Sequence, residues 1–221
     1  MNGWLTMAGA TAMAVIAASA QAAFNAPATW TRGQAGTTYQ EWNVFTSATA
    51  PNSPDVGSFN PNGTATVTNA TDGFIAGGEN IYSPFGPLDI DVAVPDYAAG
   101  SSVTTVILQT RTLGAEINMG TMNIGGVTPV DQGELLREAL GGPGGYAVET
   151  WFKFHLPYSA PSFTVEFAAT GPHMSLDRVA VDSITGPTYL PEPNPVPEPV
   201  MASLLGLGMV LCGARRRAGT A

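Results

Sequence analysis

Carboxylates are the main chemical resource of this chain. Glu41, Glu116, Glu149, Glu166 and Asp177 all fall on segments that read as β-strands. Two carboxylates facing each other across a cleft are what glycoside hydrolysis requires, but sequence spacing alone pairs none of these five. Asp89, Asp91 and Asp96 cluster, as do Asp177 and Asp182, and oxygen donors of this kind are what calcium takes. The simpler reading of Asp89 and Asp91 is the wet face of a half-buried strand, because they alternate with apolar residues. No metal ligand is therefore assigned, and a structural calcium stands as the alternative.

Other chemistries find less support. His155 and His173 lie eighteen residues apart without an H-x-x-x-H spacing, so they read as strand-face or loop histidines rather than zinc ligands. The chain has no G-x-S-x-G elbow, no phosphate-binding P-loop and no dinucleotide fingerprint. The glycines from Gly141 to Gly145 enclose Pro143 and read as a loop, not a phosphate cradle. Trp30, Tyr39, Trp42, Tyr82, Tyr97, Tyr146, Trp151 and Tyr158 could stack on sugar rings, although aromatics on strands usually fill cores. No catalytic residue emerges, and the chain is read as a non-enzyme.

The elements that would carry these side chains are β-strands. Leu88-Asp89-Ile90-Asp91-Val92-Ala93-Val94 alternates apolar and polar residues, which places its leucine, isoleucine and valines on one face. Further strands are expected at Thr38–Phe45, Thr64–Asn69, Val103–Thr112, Ala115–Ile124, Tyr146–Leu156, Ser162–Ala169 and Met174–Asp182. Alternation within Tyr39–Phe45 puts Tyr39 and Glu41 on one face and Trp42 on the other, where it reads as core. Asn-Pro, Asp-Gly and Gly-Gly turns separate the strands. Only Gly133–Leu140 looks helical. The absence of alternating strand and helix units argues against a parallel sheet. The expected fold is all-β, an antiparallel β-sandwich.

Composition narrows the partners. The formal net charge is −9. Between residues 24 and 190 fifteen acidic residues face five basic ones, and Lys153 is the single lysine. Nucleic acid and anionic surfaces need a basic footprint and are excluded as partners of this region. Neutral glycans and cations remain compatible. The same region holds no cysteine, so packing rather than disulfides must stabilise it.

Both ends read as targeting segments. Trp4–Ala20 is apolar and alanine-rich, without a preceding lysine or arginine, and runs into the A-x-A patterns Ala18-Ser19-Ala20 and Ala20-Gln21-Ala22. These are features of a leader removed by signal peptidase, near Ala22 or Ala23. At the other end, Pro187–Pro199 contains six prolines and forms a stiff, extended spacer. An apolar run from Val200 to Ala214 follows, then Arg215, Arg216 and Arg217. Fifteen residues of helix span about 22 Å, short of the ~30 Å hydrocarbon core. Gly206, Gly208 and Gly213 weaken the helix further. Such a stub suits brief retention, with the arginines held on the cytoplasmic side, better than a permanent anchor.

Pro197-Glu198-Pro199, the short apolar run and the terminal arginines, in that order, resemble a PEP-CTERM sorting signal. Pro191-Glu192-Pro193 is a second candidate motif, and Cys212 departs from the small aliphatic residues usual in such a run. The resemblance implies recognition and processing by an exosortase, a transient membrane stage, and a cell-surface or extracellular-matrix destination in a bacterium that makes exopolysaccharide. His173–Asp182, with Glu149–Leu156 and Ser162–Ala169, resembles the closing half of jelly-roll modules of exported proteins. The expected organisation is a signal peptide at 1–23, a jelly-roll-like β-sandwich at 24–186, a linker at 187–199 and a sorting tail at 200–221. The expected role is non-catalytic, with extracellular polysaccharide as a partner. A lectin-like module is the alternative, and a secreted hydrolase a third reading.

Overall fold

The structure is a computed structural model that describes residues 24–100, 102–141 and 144–191. The expected leader, the Pro197-Glu198-Pro199 motif, the apolar run with Cys212 and the Arg215–Arg217 cluster lie outside the described residues. Twelve strands occur among the described residues: β1 (Thr37–Trp42), β2 (Val56–Phe59), β3 (Thr66–Asn69), β4 (Phe74–Ile75), β5 (Ile81–Ser83), β6 (Asp89–Pro95), β7 (Val103–Gly114), β8 (Asn123–Ile124), β9 (Asp131–Ala139), β10 (Tyr146–Leu156), β11 (Ser162–Ala168) and β12 (Met174–Gly186). They form two sheets. The larger runs β2-β1-β12-β7-β10-β9, with the β4–β5 hairpin joined to β12. The smaller runs β3-β6-β11-β8. Every pairing is antiparallel. The chain is all-β, consistent with a β-sandwich.

Period-two alternation explains how the sheets meet. Ile90, Val92 and Val94 of β6 point the same way as Phe163, Val165 and Phe167 of β11, and all are buried. They pack in one cluster with Trp42, Leu108, Phe152, Phe154, Val179 and Val181 of the larger sheet. Trp42 is fully buried, as its place in the alternation implies, and its indole N–H donates to the Asn52 carbonyl at 2.9 Å.

The larger sheet is buried on its second face too. The segment from Phe24 to Gly36 lies across it. Phe24 packs with Tyr39 and Ala180, and Gln109 clamps Asn25 through its amide, accepting from the backbone N–H at 3.2 Å and donating to the carbonyl at 2.8 Å. Arg32 closes the cover by gripping Asp182 through two hydrogen bonds, 2.7 and 2.8 Å. This double burial is why all six residues of β1 are buried.

Two expectations fail. Gly133–Leu140 is not helical: all of it but Leu140 belongs to β9, the edge strand beside β10. Its helical appearance came from weak local propensity, which the backbone hydrogen bonds of β10 override. A register shift opposite Glu149 and Thr150 leaves Leu135 as an extra residue, bringing Glu134 and Arg137 together at 2.9 Å. The exposed charges along this edge also discourage pairing with another chain. Ala115–Ile124 is not a continuous strand either. β7 ends at Gly114 with φ 86°, a 3-10 turn occupies Met119–Thr121, and only Asn123–Ile124 returns to a sheet. The strands β2, β4 and β5, absent from the expected set, are short connections without a long alternating pattern.

One polar network sits inside the fold. The buried Asp96 carboxylate accepts from Ser183 at 3.0 Å, with Thr104 and Thr185 at 3.4 Å, and Ser183 meets Thr38 at 2.7 Å. Burial raises the Asp96 pKa, while the Tyr97 N–H and these hydroxyls pull it partly back. A carboxyl whose folded pKa lies above its unfolded value holds more protons when folded, so stability falls as pH rises through that interval. Urea unfolding at a series of pH values should show this downward slope above the ordinary aspartate range. Asp96→Asn should make it shallower, and equal slopes in both proteins would refute the assignment.

Candidate functional site

Chemistry-bearing side chains gather in three places, and each is set by strand register. The first is a charged row on the covered face of the larger sheet. Cross-strand pairing aligns Arg178 with Arg111 and Arg111 with Glu149. Arg178 donates to Glu149 at 2.6 Å, Arg111 lies 3.5 Å from Asp177, and the Arg178 guanidinium sits 4.9 Å from the centre of the Phe24 ring. Next to this row Arg32 lies 3.4 Å from the Tyr39 ring centre, and the Tyr39 hydroxyl bonds to the buried Glu41 carboxylate. Burial, reinforced by the bond to Glu41, raises the Tyr39 phenol pKa. These groups are engaged with one another and bind the N-terminal cover to the sheet.

The second place is the open face of the smaller sheet. Asp91 and Glu166 are direct cross-strand partners there. Partial burial, then the charges of Asp89 and Glu166, raise the Asp91 pKa. A shallow depression of about 500 Å³ nearby is lined by Asp89, Glu166, Asn123, Thr71 and Thr121 among others, and Asn123 donates to Glu166 at 3.3 Å.

The third is a trough of about 680 Å³ at one end of the larger sheet. β7 ends, and β10 and β12 begin, at this end. Ser175 of β12 and Leu113 of β7 are register partners and form the floor. Tyr82 and His173 line one side, and Leu140, Gly144 and Gly145 the other. The backbone here is tightly constrained. His173 has φ 70°, a left-handed conformation unusual for a residue with a side chain. It is held there because its N–H donates to Ser83 at 2.7 Å, its carbonyl accepts from Ala115 at 3.1 Å, and its Nδ1 lies 2.8 Å from the Tyr82 hydroxyl. Gly114 must be glycine, since any side chain there would collide with the His173 carbonyl oxygen. Phe74 braces Tyr82 edge-on, with ring centres 5.2 Å apart.

The candidates from the sequence are thus dispersed. Glu41, Glu149 and Asp177 join structural networks, and Glu116 meets Arg137 at 2.8 Å, which lowers its pKa. Glu166 and Asp89 line the shallow depression of the smaller sheet. Trp30, Tyr39, Trp42 and Trp151 are buried and form no sugar platform, whereas Tyr82 lines the trough and Tyr146 and Tyr158 are exposed. The aspartate clusters do not close around a common point. Asp177 and Asp182 engage arginines, and Asp96 is enclosed by hydroxyls apart from the solvent-facing Asp89. Among the described residues no group of three or more His, Cys, Asp or Glu could hold a metal ion.

The histidines differ. His155 stacks on Tyr189 with ring centres 4.3 Å apart, and burial, then the nearby Lys153 charge, lowers its pKa. His173 belongs to the trough. Sequence reasoning missed the trough as a unit because its walls come from four separate segments. The Asp72-Gly73 and Gly77-Gly78 turns around Phe74 were the only local sign of the hairpin that braces it. No family model, curated protein or solved structure matches the chain.

Proposed function

We propose that this chain is a non-catalytic exported protein of the cell surface or extracellular matrix, sorted through a PEP-CTERM tail and carrying a jelly-roll-like sandwich as its folded cargo. The observation that carries the reading is the order Pro197-Glu198-Pro199, apolar Val200–Ala214 and Arg215–Arg217 behind a proline-rich spacer. The fold is compatible with that division. Phe24, just past the A-x-A patterns, is packed in the domain and 5% exposed. β12 ends at Gly186, and the first residues of the expected spacer still touch the domain, Tyr189 stacking on His155 and the Leu190 N–H donating to Thr105.

In this reading signal peptidase removes the leader during export. The short apolar run holds the chain in the membrane until an exosortase acts at the Pro-Glu-Pro motif, and the domain then reaches the exopolysaccharide matrix. In a host that has an exosortase, Glu198→Ala or deletion of Arg215–Arg217 should change the intact mass of the mature protein or its fractionation between membrane and exterior. If mass and fractionation both remain as in the unmodified protein, the tail is not a sorting signal.

A further inference from the structure

The trough at the end of the larger sheet has a definite chemical character. Among the described residues, the titratable side chains that line it are His173 and the Tyr82 phenol, and no Asp, Glu, Lys or Arg does. Tyr82 and His173 offer ring surfaces with polar tips, and Ser175 adds a hydroxyl on the floor. Gly114, Gly144 and Gly145 leave room in the wall rather than free polar groups, since the Gly144 N–H donates to Gly141 and the Gly145 carbonyl accepts from Leu140. Apolar faces edged by hydrogen-bonding groups match a pyranose ring, whose C–H faces are apolar and whose hydroxyls lie around its rim.

Other occupants fit less well. An anionic polymer or phosphate would need a cation in the lining and would approach a chain of net charge −9. A peptide strand would need a free sheet edge, but the floor residues Leu113 and Ser175 belong to β7 and β12, which are already paired there. An acyl chain would need a closed apolar cavity, whereas this trough opens to solvent. The strained His173 adds an independent pointer, because backbone strain held by surrounding bonds is characteristic of pre-formed functional sites. The volume of about 680 Å³ lies within the range of small-ligand sites.

We propose that this trough binds an uncharged saccharide segment, with a sugar ring stacked on the Tyr82–His173 wall and a hydroxyl bonded to the Ser175 side chain. This names the ligand class for the domain and rests on the exported reading only for where the sugar is met.

The test uses the full chain in a zwitterionic detergent without a sugar headgroup, titrated with neutral oligosaccharides of glucose, mannose or galactose and with polygalacturonate as the anionic control. At least one neutral oligosaccharide should bind. Tyr82→Ala should weaken it about tenfold, as loss of a stacking anchor does. Leu140→Ala, at a wall position 45% exposed, should weaken it about threefold while leaving the core untouched. Phe85→Ala, 97% exposed and outside the trough, should leave binding unchanged. The proposal is overturned if no neutral saccharide binds, if polygalacturonate binds in preference, or if Leu140→Ala and a folded Tyr82→Ala both bind like the unmodified chain. Because the assay needs no export, its failure is separate from a failure of the sorting test.

Discussion

Gly114→Ala lowers the unfolding free energy by about 3 kcal/mol, the sum expected for a left-handed residue with a side chain and a direct backbone collision. Gly114 has φ 86°, and the atom that an added Cβ meets is the His173 carbonyl oxygen, part of the backbone rather than a movable side-chain end. That carbonyl accepts from Ala115, so relieving the collision breaks a bond that holds the start of β12. Gly33→Ala supplies the control. Gly33 has φ 89°, nearly the same backbone strain, but nothing lies within 4 Å of the new methyl group. Its cost is about 1 kcal/mol. Denaturant unfolding of the two variants measures the collision as their difference, and equal losses would show that the contact with His173 does not matter. The Gly114 variant should also lose saccharide binding, because His173 forms part of the trough wall.

Asp182→Ala costs about 3 kcal/mol and frees the N-terminal cover. The Asp182 side chain is 0% exposed and receives both bonds from Arg32, whose guanidinium also lies over Tyr39. Truncation leaves a largely buried cation without its carboxylate, and that uncompensated charge, more than the lost attraction, is the source of the cost. Amide exchange should accelerate across residues 24–36 while β10 and β7 keep their protection. The paired change Arg32→Met with Asp182→Leu should recover most of the loss, since it removes both charges together. Unchanged exchange over 24–36 in Asp182→Ala would show that the cover is held by Phe24 and Gln109 alone.

The two variants probe opposite ends of one sheet. The cover occupies the end where Arg32 and Asp182 meet, while the trough lies at the other, where β12 begins. Between them runs the Arg111, Glu149, Asp177 and Arg178 row, which satisfies its own charges and leaves the trough without a net electrostatic pull.

The amino-acid order by itself determined whatever depends on neighbours along the chain. Alternation in Leu88–Val94 correctly assigned Ile90, Val92 and Val94 to the core, because in a strand each side chain faces opposite to the next. The same rule separated Trp42 from Tyr39 and Glu41. The succession of proline spacer, apolar run and arginine cluster is likewise a local property. Tertiary structure alone decided what depends on distant partners. Alternation could not reveal that the face bearing Tyr39 and Glu41 is buried as well, since its cover, Phe24–Gly36, is a loop without periodicity. Nor could it make Asp131–Ala139 a strand, because helix propensity is a small local term and pairing with β10 is a long-range one. The trough likewise needed β5, β7, β12 and the turn between β9 and β10 to be brought together. Its strained His173 is stable only because Ser83 and Ala115, far apart in sequence, reach it in the folded sheet.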